Sequence, residues 1–123
     1  MKYEISVSET GDYVIARILD FMDRKMAETY MNDLQRACVE NNLSRILIDV
    51  RTAINVMSTT SEYWFVHEAV KKSGLKQSNR LAMLTRPDDH SHDMVGTISQ
   101  NAGYNMHLFR DENEAVAWLT TAD

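Results

Sequence analysis

Arg45-Ile46-Leu47-Ile48-Asp49-Val50-Arg51 decides the fold. Four large aliphatic residues occupy five consecutive positions, arginines bracket them, and one carboxylate stands near the far end. So short and apolar a run leaves no side for solvent. It reads as a strand covered on both faces, the central strand of a sheet flanked by helices.

Upstream of it, Tyr3, Ile5 and Val7 alternate with Glu4 and Ser6, the pattern of a half-buried strand. Glu9-Thr10-Gly11-Asp12 is a turn in which Gly11 can take positive φ. Tyr13 to Leu19 is a second, more apolar strand, so the two form an antiparallel hairpin. From Arg24 to Glu40 the period changes. Met26, Tyr30, Leu34, Ala37 and Cys38 recur at helical spacing, with Asp23 as N-cap and Asn41-Asn42 as the stop.

Downstream, Arg51 to Met57 is a polar loop, and a second helix opens at Ser58-Thr59-Thr60-Ser61-Glu62. Thr59 and Glu62 have the spacing of a capping box. Lys71, Lys72 and Gly74 close that helix, with basic charge at its negative end and glycine as the left-handed stop. Arg80 to Thr85 is a fourth strand ended by Pro87. A third helix opens across Asp88-Asp89-His90-Ser91-His92-Asp93, carries Met94, Val95, Ile98 and Ala102, and stops at Gly103. Asn105 to Phe109 is the fifth strand, and Asp111 caps a last helix holding Ala115, Val116, Trp118 and Leu119. The order ββαβαβαβα predicts one α/β domain over residues 1–123, with a mixed, mostly parallel five-stranded sheet and four helices.

The 123 residues are enough to bury a substantial core, and 44% hydrophobic with 25% charged residues is ordinary for a globular chain. A formal net charge of −5 disfavours nucleic acid, whose affinity comes mostly from Lys and Arg neutralising phosphates. The single Cys38 cannot close an internal disulfide, which fits a reducing, cytoplasmic setting. The opening MKYEISVSETG alternates and is polar, unlike a secretory signal, and no apolar run reaches the length of a membrane span.

This succession of segments resembles the STAS fold and, within it, the SpoIIAA-like group. The residues that carry the resemblance are the RILIDVR strand, the capped helix after it at Ser58, the RLAMLT strand and the closing LFRDENEAVAWL. The resemblance covers nearly the whole chain and rests largely on core residues. It implies either an anti-sigma antagonist, switched by phosphorylation of a Ser or Thr where the helix after the central strand begins, or a member of a group similar to lipid-binding Sec14-type domains. Ser58 and Thr59 hold the switch position. Met57-Ser58-Thr59-Thr60 supplies the hydroxyls without the Asp that usually precedes them or the Gly that follows.

Ligands of open α/β sheets gather outside the carboxyl ends of the parallel strands. That edge would collect Asp49, Arg51, Arg86 and His90 as a candidate anion or ligand site. For Asp49 the competing role is to accept hydrogen bonds from the nearby loop, and for Arg51 to pair with a neighbouring carboxylate. The acidic run with His90 and His92 suggests metal ligands at first sight, but residues two apart on a helix do not share a face, and capping already accounts for the acids. No metal or cofactor is expected. His107 alternates within a strand and carries little information. There is no Gly-rich phosphate loop and no Gly-x-Ser-x-Gly elbow.

Tyr63-Trp64-Phe65-Val66 spans more than half a helix circumference, so the four cannot all face one sheet. Tyr63, Trp64, Phe65 and His67 form a candidate contact surface, and a slightly overstocked core is the alternative reading. Met22, Met26, Met31, Met57 and Met94 add adaptable surface. Three functions follow in order. The first is a non-enzymatic regulatory module that binds a protein partner or pairs with itself as a homodimer. The second is a carrier of a small apolar or lipid-like ligand in a pocket under the second helix, lined by Trp64, Val66 and methionines. The third is a small enzyme or anion site at the strand edge.

Overall fold

A computed structural model of the protein describes residues 2–21 and 23–122. The expectation for Met22 therefore lies outside the described residues. The strands are β1 (Tyr3–Val7), β2 (Val14–Ile18), β3 (Arg45–Asp49), β4 (Arg80–Leu84) and β5 (Asn105–Phe109). The helices are α1 (Arg24–Asn41), α2 (residues 59–73), α3 (Asp93–Asn101) and α4 (Glu112–Thr120).

The strands lie in the order β1-β2-β3-β4-β5. β1 is antiparallel to β2, and every later pair is parallel. This is a STAS-like, SpoIIAA-like α/β architecture with the arginine-bracketed strand at its centre. A monotonic order with right-handed crossovers sends α1, α2 and α3 to one face of the sheet. Only α4, which follows the last strand, reaches the other.

Side chains divide accordingly. Val14, Ala16, Ile18, Ile46, Ile48, Leu81, Met83 and Met106 meet the three crossover helices in the larger core. Leu47, Ala82 and Leu84 meet Ala115 and Leu119 of α4 in the smaller one. β3 is covered on both faces because its neighbours extend the sheet on either side and helices close both layers.

The helix ends follow the local chemistry. The Asp23 carboxylate accepts from the Met26 backbone N–H at 2.8 Å, and Asn42 ends α1 at φ 54°. Asp111 accepts from the Glu114 N–H at 3.0 Å. In α2 the cap is Ser58, whose Oγ accepts from the Ser61 N–H at 3.2 Å. This corrects the Thr59–Glu62 capping box: one register earlier, the hydroxyl already serves the helix, and Glu62 turns inward. Asp88 to His92 form turns, and α3 itself starts at Asp93, because the acidic side chains are engaged in the loop.

The interior of α2 departs from α geometry. Residues 59–64 are α-helical, Phe65–Val70 form a π-helical turn, and Lys71–Ser73 return to α before Gly74 stops the helix at φ 88°. Such turns are rare and often lie at functional sites. Bonding from i to i+5 brings Phe65 and Val70 closer to one face than α spacing would. Both are buried.

Candidate functional site

β2, β3 and β4 all end at the same edge of the sheet, and α1, α2 and α3 all begin there. Asp49 closes β3 on the α4 side and stands opposite Arg17 in the β2–β3 register. The Arg51 backbone N–H and Nε donate to its Oδ1 at 3.1 and 3.0 Å, and Arg51 Nη2 donates to Oδ2 at 2.9 Å. Arg17 Nε reaches Oδ2 at 3.3 Å. Burial alone would raise the Asp49 carboxyl; the bonds from Arg51 and Arg17 outweigh it and hold the group below the usual carboxylate range. Arg51 also meets Glu112 at the start of α4, at 3.3 Å. With both oxygens occupied, Asp49 is a joint between strands, loop and helix.

Arg86 and His90 stand apart from that joint. Arg86 is exposed and lies 3.8 Å from Asp88. His90 Nδ1 is 3.0 Å from Asp93 and 3.3 Å from Arg110 Nη2. Arg110, just beyond β5, organises this corner. It donates to the carbonyls of Arg86 and Asp89 at 3.1 and 2.6 Å and to Asp93 Oδ1 at 3.1 Å. Asp49, Arg51, Arg86 and His90 thus belong to two separate networks and form no single anion site. His90 faces solvent whereas His92 is wholly buried, so the two histidines diverge. Among the described residues no group of three or more metal-ligating side chains converges.

The second-helix cluster splits too. Tyr63 is half exposed and stacks on His67, with ring centroids 6.0 Å apart at 8°. Trp64 is partly buried beneath the Arg24 guanidinium, 3.7 Å from the ring centroid. Phe65 is buried against Tyr30, so as a surface residue it is corrected to a core one. Ser58, Thr59 and Thr60 remain at the surface.

Around them the edge keeps large apolar side chains in water. Phe21 precedes α1 at 62% exposure, Ile54 and Val56 precede α2 at 47% and 56%, and Met94 opens α3 at 47%. Each follows the carboxyl end of a parallel strand, so the topology gathers them on one side of the molecule. Single exposed hydrophobics are common, and Val39 near the far end of α1 is exposed to 69%, but these four share one edge.

Beneath that edge lies a buried polar knot. Asn55 Nδ2 donates to Glu62 Oε1 at 2.9 Å and to the Ser91 carbonyl at 3.1 Å. Its backbone N–H meets Ser91 Oγ at 3.0 Å, and its Oδ1 accepts from the Met57 N–H at 3.0 Å. Burial raises the Glu62 carboxyl above its ordinary value, and the Asn55 bond offsets this only in part. His92 Nε2 is 3.0 Å from the Ala53 carbonyl and 3.5 Å from Asp89. Among the described residues, Glu62 Oε2 and His92 Nδ1 are buried without a hydrogen-bond partner.

The knot adjoins an interior cavity of about 40 Å³ between the sheet and α2, lined by Phe65, Val70, Met31, Met83, Met106 and His92 among others. Methionines do line it, but from α2 the wall is Phe65 and Val70, not Trp64 and Val66. Its volume falls well short of the several hundred Å³ usual for ligand pockets, so no lipid chain fits. A space of this size costs about 1 kcal/mol at roughly 24 cal/mol per Å³.

Asn55 and Arg110 were not singled out by the sequence. The one signal for Arg110 was its position, an arginine leaving a strand as Arg51 does. Cys38 is buried in the larger core, and burial pushes its thiol up to about 11, which makes it an inert packing residue. No helix among the described residues is long and apolar enough to cross a membrane.

Fold and edge together define a STAS-like α/β domain. Among the solved structures similar to it are the anti-sigma factor antagonist SpoIIAA in its unphosphorylated form (TM-score 0.59, 13% identity, 98% of this chain and 99% of that one), an uncharacterised DUF3478-family protein with a SpoIIAA-like fold from Shewanella loihica PV-4 (0.57, 17%, 95% and 91%), and the Bacillus cell fate determinant SpoIIAA in its phosphorylated form (0.57, 15%, 94% and 97%). At these identities the likeness is one of fold. No protein-family model matches the sequence, and no curated protein matches it.

Proposed function

We propose that this chain is a non-enzymatic regulatory module that works by binding another protein through the carboxyl edge of its sheet. The observation that carries the reading is the recurrence of exposed Phe21, Ile54, Val56 and Met94 along that edge, with Tyr63 and His67 on the adjoining face of α2. The electrostatics support it. Asp49 is held ionised by two arginines and offers no free base for catalysis. A cytoplasmic setting belongs to the same reading, resting on the one buried cysteine.

Ser58 gives the surface a switch. It is exposed, it caps α2, and it stands directly after the loop that exposes Ile54 and Val56. A phosphate there would bring charge of −1.5 to −2 onto a helix N-terminus, which favours it, and beside Val56 and Met57, which do not. Thr59 offers a second hydroxyl one residue on. The SpoIIAA structures, one of them phosphorylated, lend the analogy.

The test is a photo-crosslinking residue placed at Val56 in the protein's own cells, followed by intact-mass analysis. A discrete adduct that disappears in a Ser58→Glu background supports both surface and switch. An adduct of twice the chain's mass identifies a second copy, the homodimer, as the occupant; another mass identifies a different protein. No adduct at Val56 or at Phe21 overturns the reading.

A further inference from the structure

We propose that the outer edge of β1 is a self-association surface, on which a second copy of this chain pairs antiparallel about a two-fold axis at Ile5 and joins the two sheets into one. β1 and β5 are the two edges of the sheet, and the chain treats them differently. At β5, Gly96 leaves no room for a Cβ against Leu108, so α3 closes on the strand, and Gln100 Nε2 donates to the Met106 carbonyl at 2.7 Å. At β1 the Ser8 N–H donates to the Tyr13 carbonyl and the Leu19 N–H to the Lys2 carbonyl, so the even-numbered residues face β2. By alternation Tyr3, Ile5 and Val7 turn N–H and C=O outward. Among the described residues no side chain bonds to those groups, and neither proline nor a bulge interrupts the strand.

This edge is complementary to itself. Turned end over end, Tyr3 faces Val7 of the second copy and Ile5 faces Ile5, and each pair exchanges both N–H···O bonds. Val7, exposed to 38% on its own, gains the second Tyr3 as its neighbour. Glu4 falls opposite Ser6 of the second copy, so no like charges meet directly. The helix layer meets as well. α1 packs across β1 and β2, and the Tyr3 hydroxyl donates to Asp33 near its middle. With strands about 4.8 Å apart, the two α1 axes come to lie about 10 Å apart, the distance of packed helices. Lys25 and Thr29 adjoin Lys2 and Tyr3, Asp33 meets Tyr3, and helical spacing adds Arg36 and Glu40 to the same flank. Lys25 and Glu40 are both exposed, so antiparallel pairing brings each Lys25 to Glu40 of the second copy. Asp33, between them, carries its own cation in Arg36 at 3.3 Å. A strand edge alone is a small contact, and the helix pair enlarges it towards the roughly 1,200 Å² of a stable dimer.

The experiment is sedimentation equilibrium of the full chain over a concentration series, with amide exchange read at the same concentrations. The expected result is a dimer whose formation slows exchange at Tyr3, Ile5 and Val7, while Glu4 and Ser6, already bonded to β2, hold steady. Val7→Pro removes an outward N–H that β2 does not use and should weaken dimerisation about tenfold. Glu40→Lys should weaken it by a similar factor, and adding Lys25→Glu should restore it. Within one chain these residues stand at opposite ends of α1, and both changes suit the helix dipole, so neither the loss nor the recovery reports on folding. A monomer at every concentration, a dimer with unprotected Tyr3, Ile5 and Val7 amides, or a double variant no better than Glu40→Lys would each overturn the proposal. Val56→Ser alters the protein-docking edge and should leave this dimer intact; a dimer lost there would overturn the proposal and leave the docking reading standing.

Discussion

Arg51 turns back on Asp49 two residues before it and holds both carboxylate oxygens, Oδ1 through its backbone N–H and Nε and Oδ2 through Nη2 at 2.9 Å. Arg17 adds a bond across the sheet. Asp49→Asn keeps the shape and removes the charge, so at pH 7 it should lower unfolding free energy by about 2 kcal/mol, the range for hydrogen bonds to charged groups. Because the folded carboxyl lies below its ordinary 3.8, the ionised native form is favoured above pH 4, and that contribution is lost as pH falls through the folded value. Urea titrations of both proteins from pH 7 to pH 3 should show the gap narrowing. A gap unchanged with pH would mean that charge is not what Asp49 supplies.

Arg110 makes a comparable joint on the other side of the edge. One guanidinium satisfies the carbonyls of Arg86 and Asp89 and the Asp93 carboxylate, tying β5 to the loop before α3. Arg110→Ala should cost about 2 kcal/mol and speed amide exchange in residues 86–92 ahead of the rest of the chain. Arg110→Lys should recover only part of this, since an ammonium cannot reproduce the planar fork. Full recovery would reduce the role of Arg110 to its charge.

The strands, the helix ends at Asp23, Asn42, Gly74 and Asp111, and the central place of β3 were legible because each depends on residues close in sequence. Resemblance to the STAS fold pointed to the same architecture. The joints were not legible. Arg17 meets Asp49 across a register that only the folded sheet defines, and Asn55 finds Glu62 and Ser91 from three different segments. Periodicity assigns a residue to a face but not to a partner. The π-helical turn left one trace: Tyr63 to Val66 was too wide an apolar run for one face of an α-helix. Such an excess fits a contact surface or an overstocked core, and the helix divides it between them by turning Phe65 and Val66 inward and leaving Tyr63 out.

The Arg24 guanidinium covers the Trp64 ring at 3.7 Å, linking the start of α1 to α2 beside the apolar edge. Arg24→Ala should remove about 0.5–1 kcal/mol and shift Trp64 emission to the red. Trp118 packs against His107 and Phe109 on the other face of the sheet, so a Trp118→Phe background isolates the signal. Emission unchanged in that background would show that Trp64 is shielded by its own helix and owes nothing to the cation.

Glu62 should behave oppositely to Asp49. Its carboxyl is buried, accepts one bond from Asn55, and has Oε2 without a partner among the described residues; its folded value is raised above the ordinary 4.5. A raised acid binds its proton more tightly in the native state, so the fold is favoured below pH 4.5 and loses that advantage as pH rises through the folded value. Glu62→Gln keeps the carbonyl that Asn55 donates to and removes the buried charge. It should therefore raise stability by about 1 kcal/mol at pH 7, with the benefit fading towards pH 4. Thermal unfolding of Asp49→Asn and Glu62→Gln side by side should give changes of opposite sign at neutral pH that both shrink in acid. If Glu62→Gln proves destabilising at pH 7, the ionised carboxylate has a cation or donor in the folded protein beyond Asn55, and the knot beneath the edge holds a charge instead of tolerating one.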